Sequence, residues 1–248
     1  MRALVVLPTY QEAGNIRTAL TRLRDAVPDA SILVVDDNSP DGTAELAEAI
    51  NEELGGIEVL RRPGKQGLGS AYRAGFAHGL ERGFDVLVEI DADGSHDPAV
   101  LPQLLAAVED GADLAIGSRY VPGGSTPEWP ATRRAISVIG NRYAGAVLGL
   151  DVRDSTAGFR AYRAEILRKL DLPEIRADGY GFQVEMAYRI SRLGGRIVER
   201  PIVFRDRVEG VSKMSWRIVA EALVYVTSWA VRDRLVDLGR WARQRTVA

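Results

Sequence analysis

The chain of 248 residues has no cysteine and only two histidines, His78 and His96. The absence of cysteine excludes a disulfide framework and any thiolate metal site. Two histidines do not favour a histidine-rich zinc site. We therefore expect that a metal ion, if the protein uses one, is held by oxygen ligands.

Long hydrophobic runs are also missing. No window contains the roughly 18 consecutive apolar residues that a membrane-spanning helix requires. The apolar start, Ala3–Leu7, is too short for a signal sequence and runs directly into Pro8. We expect a cytoplasmic protein that is still able to sit on a membrane surface.

Charge is distributed unevenly along the chain. The net charge is -2, but the stretch from Arg189 to the end has 13 Lys/Arg and 6 Asp/Glu, which makes it +7 and the remainder -9. A basic C-terminal part indicates either a phosphate-bearing or membrane-surface partner or an ordinary solvated face. The hydrophobic content of 46% predicts a sizeable core, so we expect one domain with a tail.

Strands and helices alternate through the first half of the chain. Apolar runs predict five strands, and helical periodicity or a capping signal such as Asp97-Pro98 predicts a helix after each of the first four. Such alternation predicts parallel pairing, with the carboxyl end of every strand at one edge of the sheet. The predicted strands are Ala3–Leu7, Ile32–Val35, Ile57–Leu60, Val86–Ile90 and Leu114–Gly117.

Polar segments follow three of these strands, at Pro8–Glu12, Asp36–Asp41 and Asp91–Asp93. We expect them to converge at one rim, where open α/β sheets bind ligands. A dinucleotide-binding fold needs G-x-G-x-x-G directly after the first strand, and that motif is absent there. The glycines of Gly64–Gly69 lack its spacing, and no G-x-x-x-x-G-K-[ST] loop occurs, so the pattern disfavours both classes of nucleotide site.

Asp91 and Asp93 follow the predicted strand Val86–Ile90, where the apolar run stops abruptly. Side chains alternate along extended backbone, so both carboxylates can point the same way. Two close carboxylates repel each other unless a cation lies between them, and oxygen ligands suit Mg²⁺ or Mn²⁺. The alternative is a turn in which Asp91 caps the loop and Asp93-Gly94 forms the bend.

Five motifs occur in order from Pro8 to Tyr120: P-T-Y-x-E, D-D-x-S-x-D-G-T, G-L-G-x-A-Y, D-A-D-x-S-H-x-P and G-S-R-Y. The later segments A-G-F-R, G-Y-G-F-Q-V-E-M, F-R-D-R and S-K continue the series to Lys213. The series resembles family-2 inverting glycosyltransferases of the polyprenol- or dolichol-phosphate mannose synthase branch, of the soluble catalytic-subunit type.

The resemblance implies a fold, a donor and an acceptor. The fold would be α/β of the glycosyltransferase A type, a Rossmann-like, mostly parallel sheet flanked by helices, with a C-terminal amphipathic helix. The donor would be GDP-mannose, the acceptor a polyprenyl monophosphate, and the cofactor Mg²⁺ or Mn²⁺. No nucleic-acid partner is expected.

The resemblance also implies roles for individual residues. Asp91 and Asp93 would bind the cation, and Arg119, Arg133 and Ser137 would hold the acceptor phosphate, with Arg134 as an alternative to Arg133. Asp93, Arg119, Arg133 and Ser137 would be catalytic. The substrate-binding residues would be Pro8, Tyr10, Glu12, Val35, Asp37, Asp91, Ala92, Asp93, Ser95, Arg119, Arg207 and Lys213, of which Arg207 and Lys213 would clasp the donor diphosphate.

The last stretch has a helical pattern with tryptophans and arginines. Its apolar stripe is formed by Val219, Leu223, Val226, Ala230 and Val231. Such a helix fits either a membrane interface or packing onto the catalytic domain or a partner subunit. We expect a catalytic domain at 1–213, an amphipathic tail at 214–248, peripheral association with the cytoplasmic membrane face, and reliance on a separate membrane-anchoring subunit.

Two rival functions remain open at this point. Within the family, the motifs do not separate a GDP-mannose enzyme from a UDP-glucose enzyme that makes polyprenyl-phosphate glucose. A different class is a non-catalytic scaffold that binds nucleotide without turnover. The D-x-D and both arginine clusters favour an enzyme.

Overall fold

The computed structural model describes residues 1–175, 177–206 and 224–231. Within these ranges the named strands are β1 (Ala3–Thr9), β2 (Ser31–Asp36), β3 (Ile57–Arg61), β4 (Val86–Glu89), β5 (Leu114–Ser118), β6 (Arg160–Arg163) and β7 (Ile197–Pro201). The named α-helices are α1 (Ile16–Ala26), α2 (Thr43–Leu54), α3 (Leu68–Glu81), α4 (Leu101–Glu109), α5 (Ala131–Leu148), α6 (Ala164–Lys169) and α7 (Gly179–Arg192).

The strands form one mixed sheet in the order β3-β2-β1-β4-β6-β5-β7. The pairs β1–β2, β1–β4, β2–β3 and β5–β7 are parallel. The predicted α/β class with a mostly parallel sheet is therefore confirmed. The five predicted strands are present, with ends that differ by one or two residues.

Helices cover both faces of the sheet, which explains why its strands read as continuous apolar runs. In β1, Val5 and Leu7 belong to the core cluster that contains residues of α1, α2 and α4. Leu4 and Val6 belong to the opposite cluster, with residues of α3, α6 and α7. Successive side chains of the strand thus fill two cores, as the alternation of extended backbone requires.

The expectation that every strand has its carboxyl end at one edge is wrong for β6, which runs antiparallel to β4 and β5. After β5 the chain enters α5, in which only Asn141 and Ala144 are buried. The chain then re-enters the sheet from the edge that it left, so β6 runs the opposite way. As a result, the segment before β6 lies at the same rim as the segments that follow the parallel strands.

Helix α3 begins at Leu68, inside the glycine-rich segment Gly64–Gly69. The carboxylate of Asp178 accepts a hydrogen bond from the backbone N–H of Gly69 at 2.7 Å. This bond satisfies one of the donors that a helix start leaves without a partner, so the helix extends into the glycine-rich segment. The predicted Asp97 cap is confirmed, because its side chain accepts from the N–H of Ala99 at the start of a 3-10 turn, Pro98–Val100.

Of the predicted tail, the structure describes only a helix at 224–231. Val226 and Ala230 are buried, and Val226 packs against Ala144 of α5 and Val184 of α7. This contact favours packing of this segment onto the preceding part of the chain. Val231, which the pattern assigns to the same apolar stripe, is 50% exposed. Val219, Leu223 and the rest of the tail lie outside the described residues.

None of the helices in the described ranges combines the length and the apolar character that crossing a bilayer requires.

The close approach of α3 to the sheet depends on a glycine. A β-carbon at Gly75 would overlap a methyl group of Val6, whereas one at Gly140 of α5 would meet nothing within 4 Å. We expect Gly75→Ala to lower the free energy of unfolding by about 1–3 kcal/mol through overpacking. Gly140→Ala should instead raise it, by up to about 1 kcal/mol, because alanine is the better helix former. Chemical denaturation measures both, and equal effects would contradict this packing.

Candidate active site

A cleft of about 520 Å³ opens at the rim where the parallel strands end. Segments that follow β1, β2, β4, β5 and β7 line it, together with the segment that precedes β6. The topology therefore brings polar loops from distant parts of the sequence to one place. The predicted site residues in its lining are Pro8, Tyr10, Glu12, Asp37, Asp91, Ala92, Asp93, Ser95, Arg119 and Arg133.

Asp91 and Asp93 are both braced through one carboxylate oxygen. Oδ1 of Asp91 accepts a hydrogen bond from the hydroxyl of Tyr72 at 2.8 Å. Oδ1 of Asp93 accepts bonds from the backbone N–H and the hydroxyl of Ser95. The Oδ2 atom of each residue takes no part in these bonds. The turn alternative explains Ser95, but it does not explain why both side chains line the cleft.

Asp37 lines the cleft and forms a buried ion pair with Arg62. The distance from Nη1 of Arg62 to Oδ1 of Asp37 is 2.6 Å, and both side chains are less than 10% exposed. Arg62 also donates to the hydroxyl of Ser70, which ties the pair to α3. Nearby, the ammonium group of Lys65 lies 4.2 Å from the ring centre of Tyr10.

Arg119 is held by a second buried pair. Its Nε and Nη2 atoms donate to the two carboxylate oxygens of Asp154 at 2.7 and 2.6 Å, and Nη2 also donates to the hydroxyl of Thr156. Burial opposes ionisation of both partners, but their mutual attraction lowers the pKa of Asp154 and raises the pKa of Arg119. Both groups are therefore charged at neutral pH.

Arg133 is held differently. Its guanidinium group lies 4.0 Å from a ring centre of Trp129, and its Nη1 donates to Oδ1 of Asp206 at 2.9 Å. The indole N–H of Trp129 donates to the same oxygen. The Asp206 side chain is 44% exposed, so this pair is open to solvent, unlike the pair of Arg119 and Asp154.

The sequence matches the model of the glycosyl transferase family 2 over residues 4–171. The chain belongs to this family. A protein named undecaprenyl-phosphate mannosyltransferase from Micrococcus luteus is 56% identical over 234 residues, which cover 94% of this chain and 96% of that protein. A protein named polyprenol monophosphomannose synthase from Mycolicibacterium smegmatis is 49% identical over 235 residues, which cover 94% of this chain and 89% of that protein.

Solved structures share the fold of this family 2 glycosyltransferase. Glucosyl-3-phosphoglycerate synthase from Mycobacterium tuberculosis, solved with Mn²⁺ and UDP-glucose, has a TM-score of 0.69 and 22% identity, and the match covers 92% of this chain and 78% of that one. A mannosyltransferase from Pyrobaculum calidifontis, solved with GDP-mannose and Mn²⁺, has a TM-score of 0.65 and 19% identity, with coverage of 93% and 64%. At these identities the likeness confirms the glycosyltransferase A-type fold.

Two buried groups of the family 2 transferase lie next to its aspartates. Burial raises the pKa of Glu89 to about 8, although the charge of Arg160 and a hydrogen bond from Tyr162 oppose the shift. Burial lowers the pKa of His96 to about 4, against the attraction of Asp93. The imidazole of His96 is therefore neutral at pH 7.

Two predicted site residues of the described ranges are not among those that line the cleft, and two others lie outside those ranges. Val35 is completely buried in the core between β2 and α3. The hydroxyl of Ser137 accepts a hydrogen bond from Tyr120 at 2.6 Å. Arg207 and Lys213 lie outside the described residues. The ligand contacts of these four residues stay predictions.

The sequence did not reveal several residues of the site. Asp154, the partner of Arg119, belongs to none of the ordered motifs, and Trp129 lies in a loop without a recognisable pattern. Lys65 lies in the glycine-rich segment Gly64–Gly69 and Gly158 lies in the A-G-F-R segment, but neither segment indicated a place in the cleft.

Removing the charge of Asp154 should reveal its structural role. Asp154→Asn leaves Arg119 buried without a counter-ion, so we expect the free energy of unfolding at pH 7 to fall by about 3–5 kcal/mol. The pKa of Asp154 is lowered in the folded protein, so its stabilisation is present above the unfolded value near about 3.9 and is lost as the pH falls through the folded value. The difference between wild type and variant should therefore shrink only in acid.

Chemical denaturation at pH 7 and at acidic pH measures this difference. Glu53→Gln, which removes the exposed pair of Glu53 with Arg17, is the matched control and should have little effect. Equal stabilities of the two variants at pH 7 would contradict the role of Asp154.

Proposed function

We propose that the protein transfers mannose from GDP-mannose to a polyprenyl monophosphate with inversion, which yields a polyprenyl-phosphate mannose. One observation carries the proposal. One cleft is lined by Asp91 and Asp93, by Arg119 and Arg133, and by the loops that follow β1 and β2. The sequence match to the relatives from Micrococcus luteus and Mycolicibacterium smegmatis covers nearly the whole length of each. Their names, undecaprenyl-phosphate mannosyltransferase and polyprenol monophosphomannose synthase, support the choice of sugar and acceptor.

The nucleoside end of the donor would lie against Pro8, Tyr10, Glu12 and Asp37. A carboxylate accepts hydrogen bonds from the ring and amino N–H groups of a base. Arg62 holds the carboxylate of Asp37 in one orientation, since the pair is buried and its distance is 2.6 Å. This arrangement suits recognition of a base edge by a preorganised acceptor.

The carboxylate oxygens of Asp91 and Asp93 fit a divalent cation that prefers oxygen ligands, either Mg²⁺ or Mn²⁺. Asp91 and Asp93 both line the cleft, and each is held in place by a hydrogen bond to Oδ1. No cluster of three or more His, Cys, Asp or Glu side chains suited to a metal occurs in residues 1–175, 177–206 and 224–231. Two carboxylates completed by substrate phosphates are the usual setting of such an ion. When bound, it would offset the negative charge that develops on the departing GDP.

The acceptor needs no general base. The second pKa of a phosphate monoester is about 6, so at neutral pH its oxygen is already an anionic nucleophile. The main task of the protein is to hold two anions against each other in line. A direct attack of the phosphate oxygen on the anomeric carbon breaks the bond to the diphosphate and inverts that carbon.

Arg133 can exchange its carboxylate partner, Asp206, for the acceptor phosphate. Its partner Asp206 is partly exposed, and a pair of this kind contributes only about 0–1 kcal/mol. A phosphate can therefore replace Asp206 at little expense. Arg119 is committed to Asp154 through Nε and Nη2, so it would act as a fixed positive charge beside the reacting groups.

With a polyprenyl acceptor, the protein would work as a peripheral protein at the cytoplasmic face of a membrane. A separate membrane-anchoring subunit would fit a chain whose described residues contain no spanning helix. Arg207 and Lys213 would clasp the donor diphosphate, and Ser137 would contact the acceptor phosphate. These roles rest on the family resemblance alone.

Transfer of labelled mannose tests the proposal. We expect wild-type protein with membranes and GDP-mannose to form product that extracts into organic solvent, and we expect EDTA to abolish it. Asp93→Asn should lower the rate by about 100-fold or more, because it removes a charge that holds the cation beside the leaving group. Asp97→Asn is the matched control, since Asp97 is an exposed neighbour that pairs with Arg22.

Three other outcomes would contradict part or all of the proposed function. Transfer from UDP-glucose but not from GDP-mannose would identify a glucosyltransferase. Nucleotide binding without turnover would identify a scaffold, and activity that resists both EDTA and Asp93→Asn would remove the metal from the proposal.

The assignment of Arg133 has its own test. Arg133→Met should raise the KM for a short-chain polyprenyl phosphate by about tenfold or more, because a hydrogen bond to a charged group contributes about 1.5–3 kcal/mol. The KM for GDP-mannose should change little. Arg134→Met is the control, since Arg134 is exposed and is not among the residues that line the cleft. The reverse pattern would assign the role to Arg134.

A further inference from the structure

The two carboxylate oxygens of Asp91 have different surroundings. Oδ1 accepts the hydrogen bond from Tyr72 at 2.8 Å. Oδ2 lies 3.8 Å from the position that a β-carbon would take at Gly158, a residue of the cleft lining. The hydroxyl of Tyr72 thus holds one oxygen, while the other is directed towards the cleft.

The ring of Tyr72 has little freedom to turn. Tyr72 is completely buried on α3, and its ring stacks on Phe76 and Phe182 with centre distances of 6.0 and 6.1 Å. The packed ring therefore keeps the hydroxyl in place as a donor to Asp91.

The braces of the two aspartates differ in origin. Asp93 is held by Ser95, two residues further along the same loop. Asp91 is held by a residue of another element, 19 positions earlier in the chain. Since like charges repel, two carboxylates at one strand end need external restraints to keep a common direction.

We propose that Tyr72 is a positioning residue that fixes the orientation in which Asp91 binds the divalent cation. The inference rests on the proposed function, because it assumes that the aspartates bind a cation. Tyr72 acts through Asp91 and does not touch the substrate. Partners that orient a metal ligand typically change metal affinity by about 10–100-fold when they are removed.

Tyr162 offers a matched control. It is also completely buried, and its hydroxyl donates to a carboxylate of β4, Oε2 of Glu89, at 2.9 Å. Tyr72→Phe and Tyr162→Phe therefore remove the same chemical group from the same core. Only the first removal takes a donor away from Asp91.

Binding of Mn²⁺ to the full chain, measured by the loss of the free-ion EPR signal in the presence of GDP, tests the inference without reference to activity. We expect Tyr72→Phe to weaken Mn²⁺ binding about 10–100-fold and Tyr162→Phe to change it by less than about twofold. Binding of GDP without metal should be the same in all three proteins.

Two results would overturn the inference alone: Mn²⁺ binding by folded Tyr72→Phe that matches the wild type, or equal weakening in both variants. Wild-type protein that binds no Mn²⁺ would overturn it together with the metal part of the proposed function.

Discussion

The structure depends on keeping two like charges together at the end of β4. Asp91 and Asp93 repel each other, and nothing in the strand itself directs both carboxylates into the cleft. The fold supplies that direction from outside, through the hydroxyl of Tyr72 on α3 and through Ser95 in the following loop. The close packing of α3 on β1, which Gly75 permits, is therefore part of the construction of the site.

The positive charges divide into fixed and exchangeable ones. Arg62 and Arg119 have buried carboxylate partners, so their positions are set before any ligand arrives. Arg133 has a partly exposed partner, Asp206, and an aromatic support, Trp129. An enzyme that brings two anions together benefits from both kinds, because fixed charges preorganise the cleft and exchangeable ones admit the second anion.

Local patterns predicted the parts of the fold and site that local chemistry decides. The strands through Leu7, Val35 and Ile90 were visible because buried parallel strands read as apolar runs. The site loops could then be placed at one rim, because parallel topology leaves little choice. The pairing of β6 could not be foreseen. It begins with Arg160, whose completely buried guanidinium group donates to the nearby backbone carbonyls of Ser155 and Ala157 and to that of Gln183, which is 23 residues away.

Contacts between residues that are far apart in the sequence could not be predicted in the site either. Nothing in the sequence around Asp154 or Tyr72 shows that either one meets a site residue, since those contacts exist only after the sheet has formed.

The arrangement of the aspartates is the central claim, and a crystal structure with Mn²⁺ and GDP-mannose, measured at the manganese absorption edge, tests it most directly. The account predicts an anomalous peak within about 2.5 Å of an oxygen of Asp91 and an oxygen of Asp93, on the side facing the cleft. A manganese peak bound elsewhere, with both carboxylates turned away from the diphosphate, would contradict it.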